Sequence, residues 1–199
     1  MTAPGGPPGL RRVVQWVVVL NLGYFGVEFA VALAIGSVAL FADSIDFLED
    51  ASVTLLILLA LGWGAAGRAR LGMGLAGLLL VPGLATLWTA WEKFGAPVAP
   101  DPLPLSLAAL GALAVNLGCA RMLARFRTQG GSLTRAAFLS ARNDALANLA
   151  ILAAALVTAL LWRSAWPDLI VGLAIAALNA DAAREVWLAA RAERRVVVG

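Results

Sequence analysis

The sequence predicts an all-α, polytopic membrane protein of six transmembrane helices with both termini on the cytoplasmic side. Three observations lead there. Of the 199 residues, 61% are hydrophobic and 14% charged, and the mean hydropathy is +0.87. Six apolar runs reach the length of about 20 residues that a helix needs to cross a bilayer. The basic residues gather on one side of that six-run arrangement. A soluble domain carries roughly a quarter charged residues, so this composition excludes both an ordinary globule and a disordered chain.

Residues 1–12 are Gly- and Pro-rich at first (MTAPGGPPGL) and read as an unstructured cytoplasmic N-terminus. Arg11 and Arg12 before an apolar run resemble a signal peptide. That run is too long for one, has no cleavage site and contains Glu28, so it reads as the first span. Residues 13–190 form the membrane domain, with spans at Val13–Ala34, Val38–Trp63, Leu71–Phe94, Pro104–Phe126, Leu133–Trp162 and Pro167–Ala190. Ile35-Gly36-Ser37 is so short a break that spans one and two form a tight antiparallel hairpin. The four prolines of Gly95–Pro104 make the clearest loop. Residues 191–199 are a short cytoplasmic tail, with no C-terminal domain after it.

Orientation follows from charge. Arg11, Arg12, Arg68, Arg70, Arg121, Arg125, Arg127, Arg135, Arg184, Arg191, Arg194 and Arg195 fall on one side, against Lys93 and Arg163 on the other. Trp88, Trp91, Trp162 and Trp166 mark the outer interface, and Trp16, Trp63 and Trp187 the inner one. Cys119 is the only cysteine and there is no histidine, which excludes a disulfide framework and the commonest general base and soft-metal ligand. The arginines are short clusters beside spans, so no nucleic-acid partner is expected.

The acids are where lipid should be. Glu28 lies in span one, Asp43, Asp46, Glu49 and Asp50 in span two, and Asp144 in span five. An ionisable group at membrane depth costs about 2.5–3.5 kcal/mol on insertion scales and marks an ion or proton path. Asp43, Asp46 and Asp50 stand at i, i+3 and i+7 and line one helical stripe, with Glu49 off it. The like-charged pair Asp46/Asp50 stays ionised only with a cation or strong donor between its members. Ser140 and Asp144 repeat the i, i+4 spacing in span five, next to Asn143. Two facing helices with these pairs present three carboxylates and a hydroxyl, an all-oxygen set suited to a divalent cation.

Other polar residues read as interhelical glue: Asn21, Asn116, Asn148, Asn179 and Ser52. Gly64, Gly67, Gly72, Gly74 and Gly77 read as close-packing positions. Arg135 and Arg142 stand equally well as structural partners of Glu49 or Asp43. An intramembrane enzyme is disfavoured, because the Asp46/Asp50 pair lies on one helix and Ser140 has no activating base.

GSVALFADSIDFLEDA (Gly36–Ala51) resembles the second-helix signature of the cation diffusion facilitator family, and TRAAFLSARNDALANLAIL (Thr134–Leu152) resembles its fifth-helix signature. Asn21, Glu28 and the PDLIVGLAIA run opening span six also fit the family. The resemblance implies a divalent metal/proton antiporter that exports cations by alternating access, with Asp46, Asp50, Ser140 and Asp144 as ligands and Asp43 and Asn143 as helpers. Two departures stand out. Ser140 replaces the family's usual histidine, and the cytoplasmic C-terminal domain that assists dimerisation is not seen. Without the cation, three adjacent carboxylates do not all stay ionised, so proton exchange needs no histidine. The expected partners are protons, the lipid bilayer, a second copy in a homodimer, and a transported Mn, Fe, Co or Zn ion, with no prosthetic group. Hard oxygen ligands favour Mn²⁺, Fe²⁺ or Co²⁺ over Zn²⁺. The bacterial inner (plasma) membrane is the expected location. The alternative is a non-transporting partner or scaffold of a full-length transporter.

Overall fold

The computed structural model describes residues 9–60, 84–126, 131–178 and 180. The described residues form six helices joined by turns and loops: α1 (Leu10–Ile35), α2 (Val38–Ala60), α3 (84–95), α4 (Pro102–Ala124), α5 (Gly131–Leu160) and α6 (Trp166–Leu178). Leu10–Ile35, Pro102–Ala124 and Ala137–Leu160 are long and apolar enough to cross a membrane. The expected packing glycines Gly64, Gly67, Gly72, Gly74 and Gly77, with Trp63, Trp187, Asn179 and residues 71–83 of span three, lie outside the described residues.

The α1–α2 hairpin is as tight as its short break demands. Gly36 takes the left-handed conformation (φ 62), a C-cap that glycine adopts without a Cβ penalty, and the N–H groups of Gly36 and Ser37 both return to the Ala32 carbonyl. Ser37 then caps α2, its Oγ accepting from the Leu40 N–H at 3.1 Å. The proline-rich segment departs from the expected loop. Asp101 caps α4 by accepting the Leu103 N–H at 3.1 Å, and Pro102 and Pro104 lie inside the first turn. A first-turn proline lacks only an N–H that would find no helical partner there, so proline begins a helix as readily as it breaks one.

The core is built on small side chains. Ala32, Ala39, Ala42, Ala108, Ala109 and Ala155 bring α1, α2, α4 and α5 into close approach around Leu40, Ile45, Leu105 and Ile151. A second cluster around Val13, Val14, Val17, Leu123 and Phe126 closes the other end. Every residue from Ser37 to Phe47 is buried, so α2 is enclosed by its neighbours over its first half. The outside is apolar: Trp16, Leu22, Leu107, Leu149, Leu156 and Leu161 are all exposed. An apolar exterior around a polar interior is the arrangement a lipid solvent selects.

One end is clasped by charge. Asp168, fully buried at the start of α6, accepts the Ser37 hydroxyl at 2.5 Å, the Val38 N–H at 2.9 Å and the Ala39 N–H at 3.3 Å. Lys93 from α3 donates to Asp168 at 2.8 Å and to the Gly36 carbonyl at 2.6 Å. Gly172, one turn further along α6, lies against the backbone of Val38, where a Cβ would stand 2.7 Å from the carbonyl carbon.

Candidate functional site

The polar interior is carried by the enclosed helix α2 and the faces of α1 and α5 that pack on it. Because helix residues at i, i+3 and i+7 share a face, Asp43, Asp46 and Asp50 form a column down α2. All three are buried. From α5, the Ser140 hydroxyl donates to Asp50 Oδ1 at 2.8 Å. The Asp144 carboxyl, one turn along α5 and half-buried, meets that of Asp50. Asp46 faces Asp144 within electrostatic reach across the same interface. The structure therefore brings Asp50, Ser140 and Asp144 together between α2 and α5, with Asp46 one turn away on the same face of α2. Among the described residues no three His, Cys, Asp or Glu side chains are drawn in closely enough to hold a metal ion.

Two expected helpers go elsewhere. Asn143 is exposed and accepts from Arg142 Nη2 at 3.3 Å, since a residue one step before Asp144 points about 100° away from it. Asp43 turns toward Glu28 of α1, and the two carboxyls meet with no exposed surface. Glu49 is half-buried, off the column. The ion pair found among the described residues is Lys93–Asp168, and Arg142 faces Asn143; the Arg135 side chain lies outside the described set. Asn148 does more than join helices: its Nδ2 donates to the Asp144 carbonyl at 2.8 Å, fixing the amide one turn from the cluster. Asn21 receives the Cys119 thiol at 3.7 Å on the α1–α4 interface, a glue-like contact.

The Lys93–Asp168 clasp escaped sequence reasoning. Two signals for it were present: Lys93 is the only lysine of the chain, and Asp168 follows the proline that opens span six. The same holds for Gly111, where a Cβ would collide with the Tyr24 hydroxyl that donates to the Ala108 carbonyl at 2.6 Å.

Chemically the cluster offers carboxylate and hydroxyl oxygens only, which are ligands for a cation and not a nucleophile–base pair. No curated protein matches the chain. The model of the cation efflux transmembrane domain matches residues 14–191, most of the 199-residue chain, from the second turn of α1 through α6. With buried acids converging inside an apolar shell and that match over nearly its whole length, the protein belongs to the cation efflux (cation diffusion facilitator) family of membrane cation transporters, which are not enzymes.

Proposed function

We propose that the protein exports divalent metal cations from the cytoplasm in exchange for protons, by alternating access at Asp46, Asp50, Ser140 and Asp144. The observation that carries this reading is the Ser140–Asp50–Asp144 contact across the α2–α5 interface. Carboxylates from two helices form a site whose shape depends on how those helices pack, so a shift of one against the other opens or closes it. Side-chain rotation of Asp46 toward the pair completes an oxygen set for a divalent ion. Three adjacent carboxylates do not all remain charged when the ion leaves, and the proton they take up is the counter-ion. The arginine distribution supports six spans with both termini cytoplasmic, and the bacterial inner membrane is the location proposed with them. Homodimerisation is part of the same proposal.

The test is transport into proteoliposomes of Mn²⁺, Co²⁺, Fe²⁺ and Zn²⁺ with and without an imposed proton gradient. The reading expects flux of the first three that rises with the gradient and disappears in Asp50→Ala. Wild-type flux unchanged by Asp50→Ala overturns it. Movement of Zn²⁺ alone overturns the preference drawn from ligand hardness.

A further inference from the structure

Two buried carboxyls remain that the proposed site does not use. Glu28 and Asp43 each have 0% exposure, their carboxyls meet, and none of their four oxygens receives a hydrogen bond. Asn148, also at 0% exposure, abuts Asp43 from α5, and its side-chain oxygen is likewise without a donor. Three helices therefore supply five acceptor oxygens, and the donor beside them is the second N–H of the Asn148 amide. Buried polar atoms are nearly always paired, and a carboxylate taken from water without a partner costs several kcal/mol. The Tyr24 hydroxyl is committed to the Ala108 carbonyl, and one N–H of the Asn148 amide to the Asp144 carbonyl. Lys93 is held by Asp168 and Gly36.

The chemistry of this box selects its guest. Two carboxylates and a neutral amide oxygen make a hard, oxygen-only set of charge −2, and a divalent cation cancels that charge in a low-dielectric interior. A single shared proton pairs two of the five oxygens and leaves one negative charge. Its place is informative too. Asp43 precedes Asp46 by three residues, about 4.5 Å along the α2 axis. Asn148 follows Asp144 by four on antiparallel α5. Both steps lead toward the end clasped by Gly36, Lys93 and Asp168. Two divalent ions so close repel strongly, so the two sites serve one ion in turn.

We propose that Glu28, Asp43 and Asn148 form a second cation station, one helical turn from Asp46, Asp50 and Asp144, through which the transported divalent ion passes. The identity of the ion as cargo rests on the function proposed above. The test uses Mn²⁺ titration of the full chain in detergent, followed by electron paramagnetic resonance, with thermal melts as the control for folding. Asp46→Asn/Asp50→Asn should still bind one Mn²⁺ per chain with an all-oxygen signature, and adding Glu28→Gln should abolish that binding. Glu28→Asp, which keeps the charge, should restore it, and Asn148→Asp should tighten it at least about tenfold by adding a third negative charge. Glu28→Gln/Asp43→Asn alone should slow Mn²⁺ flux at least about tenfold while one Mn²⁺ remains bound at the other site. A folded Asp46→Asn/Asp50→Asn protein that binds no Mn²⁺ overturns the second station and leaves the proposed function standing. Mn²⁺ binding in Asp46→Asn/Asp50→Asn that survives the further addition of Glu28→Gln also overturns it. Failure of the proposed function itself reads differently: flux then persists in Asp46→Asn/Asp50→Asn.

Discussion

Asp50 is the residue at which the helices of the candidate site meet, accepting from Ser140 and touching Asp144. Losing a residue that merely orients a metal ligand already costs about 10–100-fold in affinity, so with the second station removed by Glu28→Gln/Asp43→Asn, Asp50→Asn should weaken the remaining Mn²⁺ binding at least about a hundredfold. Equilibrium dialysis checks this, with near-wild-type thermal stability expected because the asparagine still meets the Ser140 hydroxyl. Ser140 tests the other half of the set. Ser140→His replaces a hard oxygen with an imidazole nitrogen, and competition assays should show Zn²⁺ gaining on Mn²⁺ by at least about tenfold. Asp50 and Asp144 were legible as site candidates because a carboxylate in an apolar run has no ordinary reason to be there. The exclusion of Asn143 was not legible, since its direction depends on how α5 is rotated against α2.

At the scale of the element, α2 is held at its first turn by groups from α3 and α6. Asp168 satisfies the Val38 and Ala39 N–H groups that every helix leaves unpaired at its start, and its charge complements the helix dipole there. Removing one partner of a buried pair strands the other, so Asp168→Ala should cost about 3–5 kcal/mol. Lys93→Met should cost less, because Asp168 keeps three hydrogen bonds. Thermal unfolding in detergent compares the two. Gly172→Val should destabilise by roughly 1–3 kcal/mol through overpacking against Val38. The helix starts and stops were largely readable from local chemistry: Gly36 ends α1 and Ser37 starts α2. Pro102 and Pro104 misled, because a proline inside a first turn and a proline in a loop look alike without the Asp101 cap beside them.

For the whole molecule, an apolar exterior surrounds a polar seam between α1, α2 and α5. Protons and a divalent cation compete for the same carboxylates in the proposed cycle, so acidifying the loading side should weaken Mn²⁺ binding by up to about tenfold per pH unit for each proton displaced. Binding measured across a pH series checks the sign, which reverses if the cation does not displace protons. Composition and charge placement alone established that this chain lives in a bilayer, because apolar excess and basic asymmetry are summed over residues and need no geometry. The i, i+4 pairs Asp46/Asp50 and Ser140/Asp144 were equally plain, since helical periodicity is a local property. What only the tertiary structure decided is which acids share a site. Asp43 and Asp50 lie on one stripe of one helix, yet α1 claims the first through Glu28 and α5 the second through Ser140 and Asp144. The partner a buried charge finds is set by the neighbouring helix that packs at its level, and packing across helices leaves no trace in the spacing along one of them.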